Sequence, residues 1–194
     1  MVGSILASVF LVLSVLRGAD PAAVLASLVY GIGLVAMLWS SAAYHLTCHP
    51  RLKEWFRRCD HAAIFLMIAG TYTPFAIAGL GGAIGWTLLS FVWIVAVFGM
   101  ALKLLRPRRR DRWSVALYLA LGWAGLPVAG RLWEALPGEV FALLGAGGVL
   151  YTVGVAFYLW ERLPGHNAIW HGFVLAAAVC HYLAVMQVLI PETA

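Results

Sequence analysis

Long apolar runs, separated by short polar breaks that contain proline or glycine, dominate the chain. A helix needs about 20 mostly apolar residues to cross the hydrocarbon core of a bilayer. By this criterion the pattern predicts seven spans, at roughly residues 2–16, 23–46, 61–79, 83–105, 113–131, 138–160 and 167–190. We therefore expect an all-α integral membrane protein, a seven-helix bundle that forms a single domain over residues 1–194.

The composition agrees with a chain that lies in lipid. Of the 194 residues, 63% are hydrophobic and 11% are charged, whereas soluble domains are about half apolar and a quarter charged. So few polar residues cannot cover a water-soluble core. The three cysteines, Cys48, Cys59 and Cys180, have no Cys-x-x-Cys spacing and are an odd number, which argues against a disulfide framework.

The basic residues predict the orientation, because cytoplasmic loops of membrane proteins collect Lys and Arg. If the N-terminus is cytoplasmic, the inner loops hold all but two of the 13 basic residues, leaving Arg17 and Arg131 outside. We therefore expect a cytoplasmic N-terminus and an external C-terminus. The formal charge of +5 then reflects membrane topology and membrane-lipid partners, and no nucleic acid partner is expected.

Three polar clusters lie at the edges of the predicted spans. Ser41-Ala-Ala-Tyr-His45 ends the second span, Asp60-His61 opens the third, and His166-Asn-Ala-Ile-Trp-His171 opens the seventh. In the predicted topology all three lie near the cytoplasmic leaflet. Polar, ionisable side chains are costly at such depths and therefore mark candidate functional sites.

Helical spacing limits which of these side chains can act together. Ser41 and His45 are four residues apart and share a helix face. His166 precedes His171 by five residues and would point about 140° away on a continuous helix. His181 lies ten residues beyond His171, about 15 Å along the axis, and cannot share a metal ion with it.

Histidines from two helices, together with a nearby carboxylate, suit zinc. We accordingly predict a zinc site at which His45 and His171 are ligands. Asp60 would orient a water molecule or act as general base, and Ser41 would donate a hydrogen bond to that water or to a developing oxyanion.

Simpler interpretations exist for the same residues. His45 and His171 are also typical of interhelical hydrogen bonds in membrane bundles. Asp60 and Asn167 are residue types that favour helix N-caps. His181, in the middle of a span, is expected to be a hydrogen-bonded packing residue.

The clusters also carry a family resemblance. Ser41-Ala-Ala-Tyr-His45, Cys59-Asp-His-Ala-Ala-Ile-Phe65, Ile68-Ala-Gly-Thr-Tyr-Thr-Pro-Phe75 and Ala168-Ile-Trp-His171-Gly-Phe-Val, with His181, resemble the bacterial hemolysin III family. This family belongs to the progestin and adipoQ receptor superfamily, which includes the adiponectin receptors and is proposed to be related to the alkaline ceramidases. The resemblance implies seven helices in the bacterial inner membrane and a zinc site near the cytoplasmic face.

In that superfamily the metal is held by a histidine that matches His45 and by a His-x-x-x-His pair whose second member matches His171. The first member falls on Asn167 here, and an amide oxygen is a poor zinc ligand beside imidazole. Three alternatives follow: His166 binds the metal, Asp60 binds it directly, or the site is weak or empty. We favour His45, His171 and one of His166 or Asp60.

Three functions are compatible with these residues. The preferred one is zinc-dependent hydrolysis of a lipid amide or ester, as in a ceramidase. The second is a non-catalytic sensor or regulator of membrane lipids with a structural metal. A pore-forming cytolysin ranks lowest, because no charged stripe runs through any span.

Overall fold

A computed structural model describes residues 20–105 and 111–190, together with Ser8, Val9, Leu11, Leu13 and Leu16. Within these residues every regular element is a helix and no strand occurs. The α-helices are α1 (Pro21–Leu46), α2 (Pro50–Pro74), α3 (Gly82–Leu105), α4 (Asp111–Gly122), α5 (Ala129–Ala135), α6 (Gly138–Leu159) and α7 (His166–Leu189). A π-helical turn, Phe75–Leu80, extends α2, and a 3-10 turn, Leu126–Val128, precedes α5.

Six helical segments of the described chain are long and apolar enough to cross a membrane. They are Pro21–Leu46, Pro50–Leu80, Gly82–Leu105, Trp113–Ala135, Gly138–Leu159 and His166–Leu189. The predicted all-α membrane architecture is thus confirmed for this part of the chain. The first predicted span, 2–16, lies almost entirely outside the described residues, and the basic run at 106–110 does so completely.

The helix that corresponds to the third predicted span begins earlier than the sequence pattern predicts. The prediction started it at residue 61, but α2 begins at Pro50, directly after a three-residue connection from α1. Proline is favoured in the first helical turn, and Glu54 pairs with Arg57 and Arg58 one turn later. These local interactions stabilise helical turns that are too polar to be recognised as part of a span.

The fifth predicted span, 113–131, is interrupted. Helix α4 ends at Gly122, and the chain then makes the 3-10 turn that contains Pro127 before α5 begins. Proline lacks the backbone N–H that a continuous helix would use, so the interruption has a local cause.

Helices α1 to α4 belong to one compact unit, which ends at Ala124. Its centre is the close antiparallel contact of α1 with α2. A Cβ atom added at Gly33 would lie 3.3 Å from the Met67 Cα, and one added at Gly70 would lie 3.3 Å from the Val29 carbonyl oxygen. Glycine at these two positions therefore allows the two backbones to approach closely.

Helix α3 packs against α2 in the same unit. The Phe65 ring, 1% exposed, lies directly over Gly99. Further along, the Trp93 Nε1–H donates to Thr73 Oγ1 at 3.2 Å. Small residues at helix contacts and interhelical hydrogen bonds are the usual means by which membrane helices associate.

Helices α5 to α7 belong to a second compact unit, which begins at Gly125. Gly154 on α6 lies against Phe173 and Trp170 of α7. Next to this contact, the Phe157 and Phe173 rings stack with centroids 5.3 Å apart. This unit therefore repeats the pairing of a glycine on one helix with an aromatic ring on the other.

The contact between Gly99 and Phe65 gives a prediction for stability. Gly99→Ala would place a methyl group within the van der Waals radius of the Phe65 ring, which must then move. We expect a loss of about 1–3 kcal/mol in the free energy of unfolding, measured by thermal unfolding in detergent. Gly122→Ala, where no atom lies within 4 Å of the added Cβ, is the control, and equal losses in both variants would contradict the packing argument.

Candidate functional site

Two of the three predicted clusters come together where α1 ends and α2 begins. The Ser41 hydroxyl and the His45 ring both lie close enough to the Asp60 carboxyl group to interact with it, Ser41 as a hydrogen-bond partner and His45 electrostatically. Ser41 and Asp60 are half-buried, and His45 is exposed. The antiparallel α1–α2 pairing therefore joins residues that are 15 to 19 positions apart in sequence.

Asp60 does not cap a helix. It lies ten residues inside α2, whose N-cap position is taken by His49, so the N-cap alternative is wrong. The sequence pattern suggested it because the polar turns from Pro50 to Cys59 were assigned to a loop. Since the carboxyl group lies within a helix and points toward α1, its position is fixed by the helix backbone and by Ser41.

The length of the helical segment that begins with α2 limits where this cluster can lie in a bilayer. The continuous helical segment Pro50–Leu80 has 31 residues, about 46 Å at 1.5 Å per residue. The hydrocarbon core is only about 30 Å thick. If Leu80 lies at one boundary of the core, Asp60 lies close to the other boundary, and the turns before it extend among the lipid headgroups.

Aromatic and basic side chains surround the same end of the helix pair. The Tyr44 and His45 rings have centroids 4.7 Å apart, and the Lys53 ammonium lies 5.7 Å from the centre of the Tyr44 ring. From α4, the Tyr118 hydroxyl donates to the His61 carbonyl oxygen at 2.8 Å. These contacts hold the beginning of α2 against its neighbours.

The third predicted cluster lies at the start of α7, in the second unit. Gly165 takes the N-cap position with a φ of 76°, a left-handed conformation that favours glycine. His166 is the first helical residue and Asn167 the second, so the prediction that Asn167 caps this helix is wrong. Gly165 displaces it because the chain must reverse direction after Pro164.

His166 has an unusual environment. Its Nδ1 atom is buried and has no hydrogen-bond partner among the residues that the structure describes. Buried polar atoms nearly always have a partner, so this nitrogen marks a position at which an additional ligand would be favourable. His171, five residues further along α7, is half-buried.

His181 is a packing residue, as predicted. Its Nε2 lies 3.3 Å from the Leu144 carbonyl oxygen, its ring lies 5.6 Å from the Tyr151 ring, and Gly147 leaves room for it on α6. All of these contacts lie within the second unit, and they explain a polar residue in the middle of a span.

The donor atoms fit zinc in type but fall into two sets. One unit supplies His45 and Asp60, and the other supplies His166, with its unpartnered nitrogen, and His171. Imidazole nitrogen and carboxylate oxygen are typical zinc ligands. Among the described residues, however, no three His, Cys, Asp or Glu side chains form a group that could hold a metal ion.

Ser41 has a neighbour that the sequence did not indicate, because its hydroxyl lies within reach of the Asp60 carboxyl group. Its role toward a water molecule or an oxyanion stays a prediction. The contact with Asp60 depends on the α1–α2 register, for which the sequence gives only an indirect signal, the glycines at 33 and 70.

The protein has several helices that can cross a membrane, and a cluster of Ser, His and Asp lies at the end of one helix pair. These two features define its class. It is a multi-pass membrane protein with polar chemistry at the membrane boundary. The family model described as haemolysin-III related matches residues 1–182. The chain belongs to this family, as the sequence motifs predicted.

Curated relatives agree with this assignment. Hemolysin-3 of Bacillus cereus is 39% identical over 188 residues, which cover 97% of this chain and 86% of the relative. The Hemolysin-3 homolog of Bacillus subtilis (strain 168) is 36% identical and covers 94% and 86%, respectively. A more distant relative, Heptahelical transmembrane protein ADIPOR2 of Oryza sativa subsp. japonica, is 30% identical and covers 81% and 79%.

The Ser41–Asp60 hydrogen bond gives a second prediction. Ser41→Ala would leave a half-buried carboxyl group without its donor, which costs about 1–3 kcal/mol. We expect a lower thermal midpoint in detergent, and a double-mutant cycle with Asp60→Ala should give a coupling energy of at least about 0.5 kcal/mol.

Ser40→Ala is the matched control, because the Ser40 hydroxyl donates only to the Met37 carbonyl of its own helix, at 3.3 Å. Additive effects of Ser41→Ala and Asp60→Ala would show that the hydrogen bond does not stabilise the helix pair.

Proposed function

We propose that this protein is a zinc-dependent hydrolase that acts on a lipid amide or ester at the cytoplasmic side of the bacterial inner membrane. The observation that carries the proposal is the cluster of Ser41, His45 and Asp60, which lies between the end of α1 and the N-terminal half of α2. A carboxyl group at this depth, oriented by a hydroxyl and next to an imidazole, is suited to proton transfer beside a lipid substrate.

The proposed zinc ligands are His45, His171 and a third residue, either His166 or Asp60. The Nδ1 atom of His166 supports His166, because a metal would satisfy a buried nitrogen that has no partner among the described residues. With His166 as the third ligand, Asp60 would remain the general base, beside Ser41 and His45.

Zinc bound with one open coordination position lowers the pKa of water to about 7 and polarises a carbonyl group. Asp60 would accept a proton from the attacking water as its oxygen bonds to the acyl carbon. As the C–N or C–O bond breaks, Asp60 would return this proton to the leaving amine or alcohol. The products are a fatty acid and the remaining part of the lipid.

Ser41 acts in this proposal as a positioning residue. Its hydroxyl has a single proton to donate, and in this proposal that proton is directed to the neighbouring Asp60 carboxyl group. It is therefore not available for an oxyanion while Asp60 is the base. The seven-span topology with a cytoplasmic N-terminus is part of the proposal. The name of the heptahelical rice relative supports the seven spans, and the distribution of basic residues supports the orientation.

The metal and the activity can be tested on the same purified full-length protein. We expect about one zinc per chain by elemental mass spectrometry, lost in His45→Ala, His171→Ala and His166→Ala. Asp60→Asn should retain the metal yet lose hydrolysis of a fluorescent ceramide by at least about 100-fold, the typical contribution of a general base. Release of the fluorescent fatty acid is the measurement.

His49→Ala is the control for general effects of histidine removal, since His49 is exposed at the start of α2. Loss of zinc in Asp60→Asn but not in His166→Ala would make Asp60 the third ligand. Zinc without hydrolysis of either the ceramide or a fluorescent acyl ester would contradict the enzyme proposal and favour the structural-metal alternative. A protein that binds no zinc after zinc is supplied would contradict both.

The orientation has its own test. Cys48 is exposed at the connection between α1 and α2, which the proposed topology places in the cytoplasm. In a Cys59→Ser, Cys180→Ser background, a membrane-impermeant maleimide should label Cys48 in inside-out vesicles and not in intact spheroplasts. Labelling of spheroplasts, absent in the additional Cys48→Ser variant, would reverse the proposed orientation.

A further inference from the structure

The turns of α2 that precede Asp60 carry a charge that the proposed hydrolase does not use. Residues 50–58 hold Arg51, Lys53, Arg57 and Arg58 with only Glu54 to oppose them, a net formal charge of +3. If Leu80 lies at the opposite boundary of the hydrocarbon core, the 31-residue segment Pro50–Leu80 carries these turns to the level of the headgroups. A cationic helix at this depth faces the phosphates of the lipids.

The basic residues are distributed over two faces of the helix. Lys53 and Asp60, seven residues apart, point toward α1, where they meet Tyr44 and Ser41. Arg51, Trp55 and Arg58, at spacings of four and three residues, lie together on a different face. This second face carries two of the four basic residues, Arg51 and Arg58, whereas Arg57 pairs with Glu54 of its own helix.

The neighbouring arginines Arg57 and Arg58 differ in how fully they pair with Glu54. Glu54 is engaged by Arg57 through two contacts, Nε to Oε2 at 3.0 Å and Nη2 to Oε1 at 3.1 Å. Arg58 contacts Glu54 through Nε alone, at 3.3 Å. Within the described residues, both Nη groups of Arg58 therefore remain for another anion, and Glu54 holds the guanidinium in place.

The other two members of this face are accessible. Arg51 is exposed, and Trp55 is 50% exposed. Indole rings prefer the boundary between hydrocarbon and headgroups, and an arginine guanidinium binds phosphate oxygens through paired hydrogen bonds. The tryptophan lies between the two arginines along the helix, so its indole would lie beside a phosphate that they bind and contact the glycerol of the same lipid.

We propose that Arg51, Trp55 and Arg58 form a binding site for the headgroup of an anionic phospholipid. The site takes one lipid, with its phosphate between the two guanidinium groups and its glycerol backbone against the indole. This inference does not depend on the proposed hydrolysis, because none of the three residues belongs to the Ser41, His45 and Asp60 cluster.

The test is native mass spectrometry of the full-length protein, titrated with dioleoyl phosphatidylglycerol in a phosphatidylcholine background. We expect one phosphatidylglycerol to bind in preference to phosphatidylcholine. Arg51→Gln and Arg58→Gln should each weaken this binding by about fivefold, the effect of one basic residue at a membrane surface. Arg51→Lys should retain more affinity than Arg51→Gln.

Lys53→Gln is the matched control, since it removes the same charge from the face that points toward α1. Its affinity for phosphatidylglycerol should change less than twofold. Equal weakening in Lys53→Gln, Arg51→Gln and Arg58→Gln would mean diffuse attraction and would overturn the site. Displacement of the lipid by millimolar glycerol 3-phosphate would also overturn it, because a soluble phosphate would then bind as well as the lipid headgroup. Thermal midpoints of all variants are measured to exclude misfolding.

Discussion

The close contact between α1 and α2 is the constraint on which the first unit depends. Gly33 and Gly70 let the two backbones approach so closely that an added Cβ atom would lie only 3.3 Å from the facing helix backbone, and this favours one register of the antiparallel pair. The same register brings Ser41 to Asp60. Burying a polar group costs free energy unless it has a hydrogen-bond partner. Packing of the two helices in the hydrocarbon region therefore supplies the partners of the polar cluster at its edge.

Much of the architecture follows from the sequence because a membrane span is a property of composition. The start of α1 at Pro21, with Asp20 accepting the Ala22 N–H at 3.1 Å, and the ends of α3, α6 and α7 agree with the predicted spans to within two residues. The errors lie where short-range interactions override composition. Glu54 and its two arginines extend α2 through polar turns, and Pro127 divides a stretch that is apolar enough to span.

The candidate site was predictable to a similar extent. The residue types and their positions at helix ends indicated Ser41, His45 and Asp60, and the structure brings these three together. Their hydrogen-bonding roles did not follow from the sequence, since a role depends on which donor meets which acceptor across two helices. The N-cap interpretations of Asp60 and Asn167 failed for a related reason, because His49 and Gly165 occupy the cap positions.

The helical segment Pro50–Leu80 is longer than the hydrocarbon core is thick, and its N-terminal part joins the candidate site to the membrane surface. A helical segment of about 46 Å is longer than a hydrocarbon core of about 30 Å is thick, so it must either tilt or extend out of the core. The turns at its polar end are the ones that leave the core. The ion-paired turns around Glu54 are stable in the headgroup region, where charges remain hydrated. If these turns lie among the headgroups, Asp60, three residues further along the helix than Arg57, lies where acyl chains meet headgroups, which is also the depth of the amide and ester bonds of membrane lipids.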